Sequence, residues 1–246
     1  MNMKIKTLSL SLLGLVGFAA GSVMAQTCPT SLTPPWSAAV SSGGSLSSAA
    51  PGYASTACKL NAAITGNLGS ASAFVRDDTP ANEQRYRAQF LINVDNLTGQ
   101  TTAHLVRVFA ATTDAPNAGV SELVKLTVYG NVAGTSKSLG ILTASSTGTG
   151  GFAATNIPLT GGTAGVHRIE IDWTKGASGG VKVWLNNTTE ASPNVTLTAN
   201  NTAWTGGVDS GVLGLAQASP GFRSVQTGRV VYFDQFDSRR QTFIGN

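Results

Sequence analysis

The stretch RYRAQFLINV at residues 85–94 decides the fold class, because apolar and polar side chains alternate along most of its length. The apolar face of this alternation holds Tyr86, Ala88, Phe90 and Ile92. The opposite face begins with Arg85, Arg87 and Gln89. Successive side chains of a β-strand point to opposite sides of the sheet, so a period of two predicts a strand with one buried face. One-sided burial of this kind is typical of antiparallel sheets.

The stretch HRIEIDW at residues 167–173 has the same alternation. Its apolar face holds Ile169, Ile171 and Trp173, and its polar face holds Arg168, Glu170 and Asp172. Together with similar short runs, these stretches predict ten strands, at residues 60–65, 73–76, 85–94, 103–110, 123–129, 138–144, 167–173, 180–186, 210–217 and 228–237. Helical periodicity is nearly absent, and many short strands without intervening helices predict an all-β, antiparallel sandwich or barrel.

Two segments lack this alternation. Residues 26–58 are rich in Ser, Gly, Ala and Pro, which predicts an irregular arm ahead of a single β domain at residues 59–246. Residues 145–163 are rich in Gly and Thr around a short apolar segment, and we expect them to connect strands.

The N-terminal segment has the three parts of a secretory signal peptide. Lys4 and Lys6 precede an apolar run from Leu8 to Ala20, and small residues lead to Ala25. The apolar run is shorter than the roughly 18 to 20 residues that a membrane-spanning helix needs. We therefore expect residues 1–25 to be cleaved after Ala25, and the mature protein to be periplasmic or extracellular without a membrane span.

The charge balance argues against nucleic acid as a partner. The chain has 16 basic and 12 acidic residues, and loss of Lys4 and Lys6 leaves 14 basic and 12 acidic, a net charge of +2. Nucleic-acid binding requires basic residues concentrated on one face, and this small excess is not such a footprint.

Cys28 and Cys58 are the two cysteines of the chain, and an oxidising compartment favours a disulfide between them. The bridge would attach the arm at residues 26–58 to the β domain. A zinc site is the alternative, but the cysteines lie far apart, and His104 and His167 do not provide ligand spacing.

Residues 167–173, 180–187 and 228–237 carry a resemblance to a known superfamily. The strand beginning at His167, the Gly-rich turn before GVKVWLNN and the closing strand GRVVYFDQFD resemble the concanavalin A-like lectin and glucanase superfamily, particularly its laminin-G-like members. The resemblance implies an antiparallel two-sheet jelly-roll sandwich. It implies no single activity, because the superfamily includes lectins, hydrolases and adhesion modules.

The resemblance also raises a catalytic interpretation of Glu170-Ile171-Asp172. One branch, the retaining β-glucanases, places its nucleophile and its acid/base in a run such as Glu-Ile-Asp-x-x-Glu or Glu-x-Asp-x-Glu. The corresponding positions in this chain are Thr174 and Lys175, so the second carboxylate is missing. We therefore expect Glu170 and Asp172 to be solvent-facing strand residues. The alternative is an enzyme that combines carboxylates from separate strands, for instance Glu170 with Asp234.

Acidic residues at 77, 78 and 83 raise the question of calcium, which binds six to eight oxygen ligands. Asp77, Asp78 and Glu83 are therefore a candidate calcium site, although their spacing matches no specific calcium loop. An Asx turn at Asp77-Asp78-Thr79-Pro80 explains the same residues and is the favoured interpretation. No other cofactor is expected.

Aromatic and amide side chains late in the chain are candidates for binding sugar. Saccharide sites generally combine an aromatic platform with amide groups that hydrogen-bond hydroxyls. The candidates are Trp184, Asn186, Asn201 and Trp204, with Trp204 first because it lies in a polar loop. Covering one end of the sandwich is the alternative role of Trp204.

Two functional hypotheses follow from the sequence. The first is a non-catalytic binding module, for carbohydrate or a cell-surface polymer, and it is favoured because no complete catalytic set is present. The second is a polysaccharide-active glycoside hydrolase or lyase of the same fold.

Overall fold

A computed structural model describes residues 27–131, 133–146, 151–239 and 241–245. The predicted signal peptide at residues 1–25 lies outside these ranges. In the described ranges the chain forms fourteen strands and one short helix: β1 (Ala38–Ser42), β2 (Gly44–Ala49), β3 (Lys59–Ile64), β4 (Ser72–Asp77), β5 (Arg85–Asn93), β6 (Val106–Asn117), β7 (Val120–Gly130), β8 (Lys137–Ala144), β9 (Phe152–Pro158), β10 (Val166–Thr174), β11 (Gly179–Leu185), β12 (Val195–Ala199), β13 (Ser210–Ala218), α1 (Pro220–Gln226) and β14 (Val230–Arg239).

The strands form two seven-stranded sheets packed face to face. Sheet I has the order β1-β4-β13-β6-β7-β8-β9, and sheet II has the order β12-β11-β10-β5-β14-β3-β2. Neighbouring strands pair antiparallel. The predicted antiparallel two-sheet sandwich is therefore confirmed.

The core lies between the sheets and contains the apolar faces predicted from the sequence. Phe90 of β5 stacks on Phe109 of β6 with ring centroids 5.5 Å apart, which joins sheet II to sheet I. Ile171 and Trp173 of β10 are fully buried in the same cluster. Burial of large apolar side chains on facing sheets is the main stabilising contribution in such a sandwich.

Residues 26–58 are less irregular than the sequence predicted. They contain β1, which pairs with β4, and β2, which pairs with β3. Both strands lie at the edges of their sheets and alternate between exposed and half-buried positions. Small and polar residues are sufficient at such edges, so the hydrophobic signal on which the prediction relied is absent there.

The expected bond between Cys28 and Cys58 is present, with the two Cα atoms 5.6 Å apart. It closes the arm onto the domain immediately before β3. In the part of the chain that the structure describes, no helix is both long and apolar enough to cross a membrane.

Loss of the disulfide is expected to destabilise the protein. Replacing both Cys28 and Cys58 with Ser should lower the free energy of unfolding by about 3 kcal/mol, because the unfolded chain regains the entropy of an open loop. Denaturant titration with and without a thiol reductant measures the effect. The reductant should reproduce the loss in the natural chain and leave the double variant unchanged; equal unfolding midpoints for both proteins would contradict the prediction.

Candidate functional site

The outer face of sheet II carries polar side chains in rows that run across four neighbouring strands. One row contains Trp184, Glu170, Gln89 and Asp237, which are register partners on β11, β10, β5 and β14. The next row contains Lys182, Asp172, Arg87 and Arg239. On the other side of the first row, Arg168, Leu91 and Asp234 form a third. Rows two residues apart along a strand are about 7 Å apart, so the three rows make one continuous surface.

A pocket of about 490 Å³ opens over the third row. Leu91 forms part of its floor, and Arg168 lines it from β10. Val166 at the start of β10 also lines it, and the remaining lining groups come from three loops, at residues 53–54, 161–164 and 186–188. A volume of this size is within the range of small-molecule sites.

Three loops are held in place around this pocket by hydrogen bonds. The backbone N–H of Tyr53 donates to Oδ2 of Asp234, and so does the hydroxyl of Thr56. These bonds fix the loop that the disulfide closes. Nδ2 of Asn93 donates to the carbonyl of Ala164 at 3.3 Å. Asn186 adopts a left-handed backbone conformation, with φ 54°, and its side chain bridges β10 and the chain at residue 160.

Asn186 makes that bridge with both ends of its amide. Its Oδ1 accepts the backbone N–H of Arg168 at 2.9 Å, and its Nδ2 donates to the carbonyl of Thr160 at 2.7 Å. Nδ2 also lies 3.1 Å from Nδ1 of His167. The predicted binding residue Asn186 thus lines the pocket while its amide is used to shape it.

Tyr53 is the aromatic side chain that lines the pocket. Burial, followed by the neighbouring Tyr232 and Asp234, raises the pKa of Tyr53 to about 12. The phenol therefore stays protonated at neutral pH and can donate a hydrogen bond. The ammonium group of Lys59 lies 5.3 Å from the centre of the Tyr53 ring and 5.2 Å from that of Tyr232.

The expectation that Glu170 and Asp172 face solvent is wrong. Only 1% of Glu170 and 4% of Asp172 is exposed, because both carboxylates surround a buried guanidinium. Nη2 of Arg87 lies 2.8 Å from Asp172 and 2.7 Å from Glu190, and Nη1 lies 3.6 Å from Glu170. Arg85 adds a two-point contact to Asp172 at 2.9 and 2.6 Å.

A strap formed by residues 241–245 covers the row that contains Glu170. The Phe243 ring packs on Trp184 with centroids 5.4 Å apart. The N–H groups of Ile244 and Gly245 donate to the two carboxylate oxygens of Glu170, each at 3.0 Å. Nη1 of Arg168 donates to the carbonyl of Gly245 at 2.7 Å. The strap therefore adjoins the pocket at Arg168 and buries the surface next to it.

The alternative catalytic pair, Glu170 with Asp234, is not assembled. β10 and β14 lie on opposite sides of β5, and the two residues belong to different rows. They are therefore roughly 9 to 10 Å apart across the sheet and about 7 Å apart along it. Retaining glycosidases need carboxyl groups about 5 to 5.5 Å apart. In addition, Asp234 accepts hydrogen bonds at both oxygens, with Oδ1 taking the N–H of Gln235. Glu170 therefore holds the strap against sheet II, and Asp234 holds the loop at residues 53–56.

Three of the four predicted ligand contacts are buried. Trp204 is 1% exposed, belongs to the hydrophobic core and packs on Phe152, which corrects its assignment as a loop contact. Asn201 is fully buried, and its amide bonds the backbone of Gly176 and Thr174. Trp184 is covered by Phe243, and its Nε1 donates to the carbonyl of Thr189.

The candidate calcium residues do not converge. Oδ1 of Asp77 accepts the N–H of Thr79 at 3.0 Å, as an Asx turn requires, and Asp78 pairs with Arg76. Glu83 pairs through its backbone with Val208. Across the described ranges, no group of three or more His, Cys, Asp or Glu side chains is placed to hold a metal ion.

Sequence reasoning missed Tyr53, Arg168 and Phe243 as members of this site. Tyr53 and Phe243 lie in segments without strand periodicity, and their contacts with the cleft span long sequence separations. Arg168 was placed on the correct face, but the sequence contained no indication of the loops that enclose it. The available signal was weak: Tyr53 and Phe243 are aromatic residues in segments that lack strand periodicity.

Neither protein-family models nor curated protein sequences match this chain. Solved structures do match its fold. Alginate lyase Aly36B is 11% identical, with 76% of this chain and 82% of that chain covered and a TM-score of 0.54. Alginate lyase PA1167 from Pseudomonas aeruginosa is 13% identical, with 74% and 83% covered and a TM-score of 0.53.

A third similar structure is a carbohydrate esterase from the Shiga toxin-encoding bacteriophage phi24B. It is 10% identical, with 83% of this chain and 90% of that chain covered and a TM-score of 0.51. The shared fold is an antiparallel two-sheet jelly-roll sandwich. At these identities the likeness is one of fold, which agrees with the resemblance seen in the strand pattern.

Removing one carboxylate from the buried cluster is expected to destabilise the folded protein. Asp172→Ala should lower the free energy of unfolding by about 3 to 5 kcal/mol, because Arg85 and Arg87 lose their shared partner and Arg87 stays buried. The matched control is Asp237→Ala, whose partner Arg239 is well exposed and whose loss should cost at most about 1 kcal/mol. Chemical denaturation measures both; equal effects would contradict the prediction.

His167 is expected to make stability depend on pH. Burial, opposed by Asp95 and reinforced by Lys137, lowers the pKa of His167 below its ordinary 6.5. The unfolded chain then binds the proton more readily, so stability is complete above about pH 6.5 and falls as the pH drops towards the lower folded-state pKa. Unfolding midpoints measured from about pH 7.5 to pH 5 should fall less steeply in His167→Gln; parallel curves would refute the assignment.

Proposed function

We propose that this protein is an exported, non-catalytic carbohydrate-binding module that holds a saccharide in the cleft on the outer face of sheet II. The observation that carries the proposal is the pocket of about 490 Å³, which joins an aromatic phenol, a guanidinium and backbone groups over an apolar floor. Saccharide recognition needs such a mixture, because sugar rings present both apolar C–H faces and hydroxyl groups.

Individual lining groups suit a sugar ring. The Tyr53 phenol can donate to a ring hydroxyl or pack on a C–H face, and the guanidinium of Arg168 can donate to hydroxyl or carboxylate oxygens. Leu91 supplies an apolar surface between the polar side chains of Arg168 and Asp234. The similar folds of two alginate lyases and a carbohydrate esterase support a carbohydrate ligand as a class.

The carboxylates of the cleft support binding in preference to hydrolysis. Glu170 accepts two backbone N–H groups, Asp172 pairs with two arginines and Asp234 is bonded at both oxygens. A glycosidase needs one carboxylate that can donate a proton and another that can attack or activate water. None of these three residues has an oxygen that is unengaged and faces the pocket.

Binding to a panel of soluble oligosaccharides tests the proposal. Alginate and cello-oligosaccharides provide acidic and neutral probes, and calorimetric titration gives their affinities. Tyr53→Ala should weaken the best ligand of the panel by about tenfold or more, which corresponds to about 1.4 kcal/mol. The affinity of Tyr53→Phe should lie between those of the natural chain and Tyr53→Ala, because this variant keeps the ring and loses the hydroxyl donor.

Tyr129→Ala is the matched control. Tyr129 is a half-buried tyrosine on β7, on the outer face of the opposite sheet. Its replacement should leave the affinity unchanged. Equal affinities for natural chain and Tyr53→Ala, with both proteins folded, would exclude the pocket as the binding site.

A polysaccharide lyase is the second candidate, favoured by the folds of the two alginate lyases. In place of a pair of carboxylates, a lyase needs a base that removes the carbon-bound proton beside the uronate carboxylate and an acid that protonates the leaving oxygen. Tyr53 lies in the pocket as the candidate for that acid, although its pKa, raised to about 12, makes it a weak one. Ultraviolet absorbance of the unsaturated product, measured with alginate and other uronate polymers, separates the two functions. Turnover that disappears in Tyr53→Phe would establish the lyase and overturn the non-catalytic proposal.

A further inference from the structure

The strap formed by residues 241–245 contacts sheet II with the groups that a sugar would use. The aromatic face of Phe243 lies on Trp184, and two consecutive N–H donors meet the two oxygens of one carboxylate, Glu170. A pyranose ring carries an apolar C–H face and pairs of neighbouring hydroxyl donors. Tryptophan faces and bidentate carboxylates are complementary to both features.

Polar groups beneath the strap retain unused hydrogen-bonding capacity. Nε and Nη1 of Arg87 and Oε1 of Gln89 are buried and have no hydrogen-bond partner among the described residues. Both side chains belong to the rows that contain Glu170 and Asp172. Buried polar atoms without partners cost about 1 to 3 kcal/mol each, so the strap is an imperfect cover for this surface.

The strap is held at few points compared with a strand of the sheet. Ile244 and Gly245 donate to a side chain of β10, whereas strands in the sheet pair with their neighbours along their length. Its first two residues, Gln241 and Thr242, are exposed. A segment with few buried contacts opens at a lower free energy than the core strands do.

We propose that the surface formed by Trp184, Glu170 and Arg87 is a second saccharide subsite, which the strap occupies until a longer saccharide displaces it. The subsite takes a pyranose unit through two neighbouring hydroxyls on Glu170 and a C–H face on Trp184. Arg168 joins this subsite to the open pocket, because it lines the pocket and bonds the strap at Gly245. This inference rests on the proposed function and extends it to a ligand of several units.

The strap competes with the ligand, so its removal should raise affinity. When a site is free in a fraction of the molecules, the apparent dissociation constant is divided by that fraction. A strap that covers the subsite in nine molecules out of ten would therefore weaken binding about tenfold. Short saccharides that fill the open pocket alone should not be affected.

The test titrates the alginate and cello-oligosaccharide series, from two to six units, into four proteins. These are the natural chain, Phe243→Ala, a chain lacking residues 241–246, and Phe236→Ala as the control. Phe236 packs on Trp36, away from Glu170, and its loss removes an aromatic contact without uncovering the subsite. Both strap variants should bind the longer saccharides about tenfold tighter, and Phe236→Ala should not.

Two further measurements make the result specific. Glu170→Gln in the chain lacking residues 241–246 should remove the gain, because one of its acceptor oxygens is lost. In the natural chain, hydrogen exchange at the amides of Ile244 and Gly245 should speed up when a long saccharide saturates the protein. Thermal unfolding midpoints confirm that each variant is folded.

The outcomes separate the two proposals. Unchanged affinity of both strap variants for a long saccharide that the natural chain binds, or amides of the strap that stay protected in the complex, overturns the second subsite. Loss of binding in Tyr53→Ala still supports the open pocket in that case. If only the strap variants bind a saccharide, the subsite is supported and the pocket is overturned as an independent site. If none of the proteins binds any saccharide, both proposals are overturned.

Discussion

The charge of Arg87 has to be compensated inside the protein, because only 2% of this residue is exposed. A buried guanidinium is tolerated when carboxylates and hydrogen bonds replace its water. Glu170 and Asp172 provide those carboxylates from the adjacent strand, and Glu190 approaches from the loop after β11. The rings of Trp184 and Phe243 pack on each other and also contact Arg87, with centroids 5.6 and 5.5 Å from its guanidinium carbon. Arg87 thus contacts the strap through Phe243, the loop after β11 through Glu190 and the neighbouring strand through both carboxylates, and these contacts keep it buried.

Strand periodicity located the inner strands of both sheets and missed the edges. All ten predicted stretches correspond to strands that have a neighbour on each side, such as β5 and β10. Of the described strands, those without a prediction are β1, β9, β2 and β12, which are the two edges of sheet I and the two edges of sheet II. VTLTA at residues 195–199 explains why: its apolar residues are half-buried and its threonines are exposed, so the local hydrophobic contrast is small. Edge strands are specified by pairing, which acts between distant residues.

The candidate site was less predictable than the fold, because exposure on a sheet face depends on what covers that face. Alternation correctly predicts that Glu170 and Asp172 lie on the polar side of β10, but a polar side need not be exposed to solvent, and both residues are buried. The strap residues that bond Glu170 lie 74 and 75 positions after it in the sequence and carry no periodic signal. The polar loop predicts Trp204, and the amide predicts Asn201, as ligand contacts, but both side chains are buried, and Trp204 belongs to the hydrophobic core. Long-range covering of this kind cannot be deduced from local composition.

A polar cluster under the strap is a costly way to fill that space. Well-packed apolar residues of similar volume commonly stabilise a protein as much as a buried ion pair or more. The core side of the same strands follows that rule, with Ile169, Ile171 and Trp173 fully buried. A strap whose only role was to cover sheet II would therefore be served better by an apolar seam. The second subsite proposed above would account for arginine, glutamate and glutamine beneath a covering of five residues, and for the atoms of Arg87 and Gln89 that have no hydrogen-bond partner among the described residues.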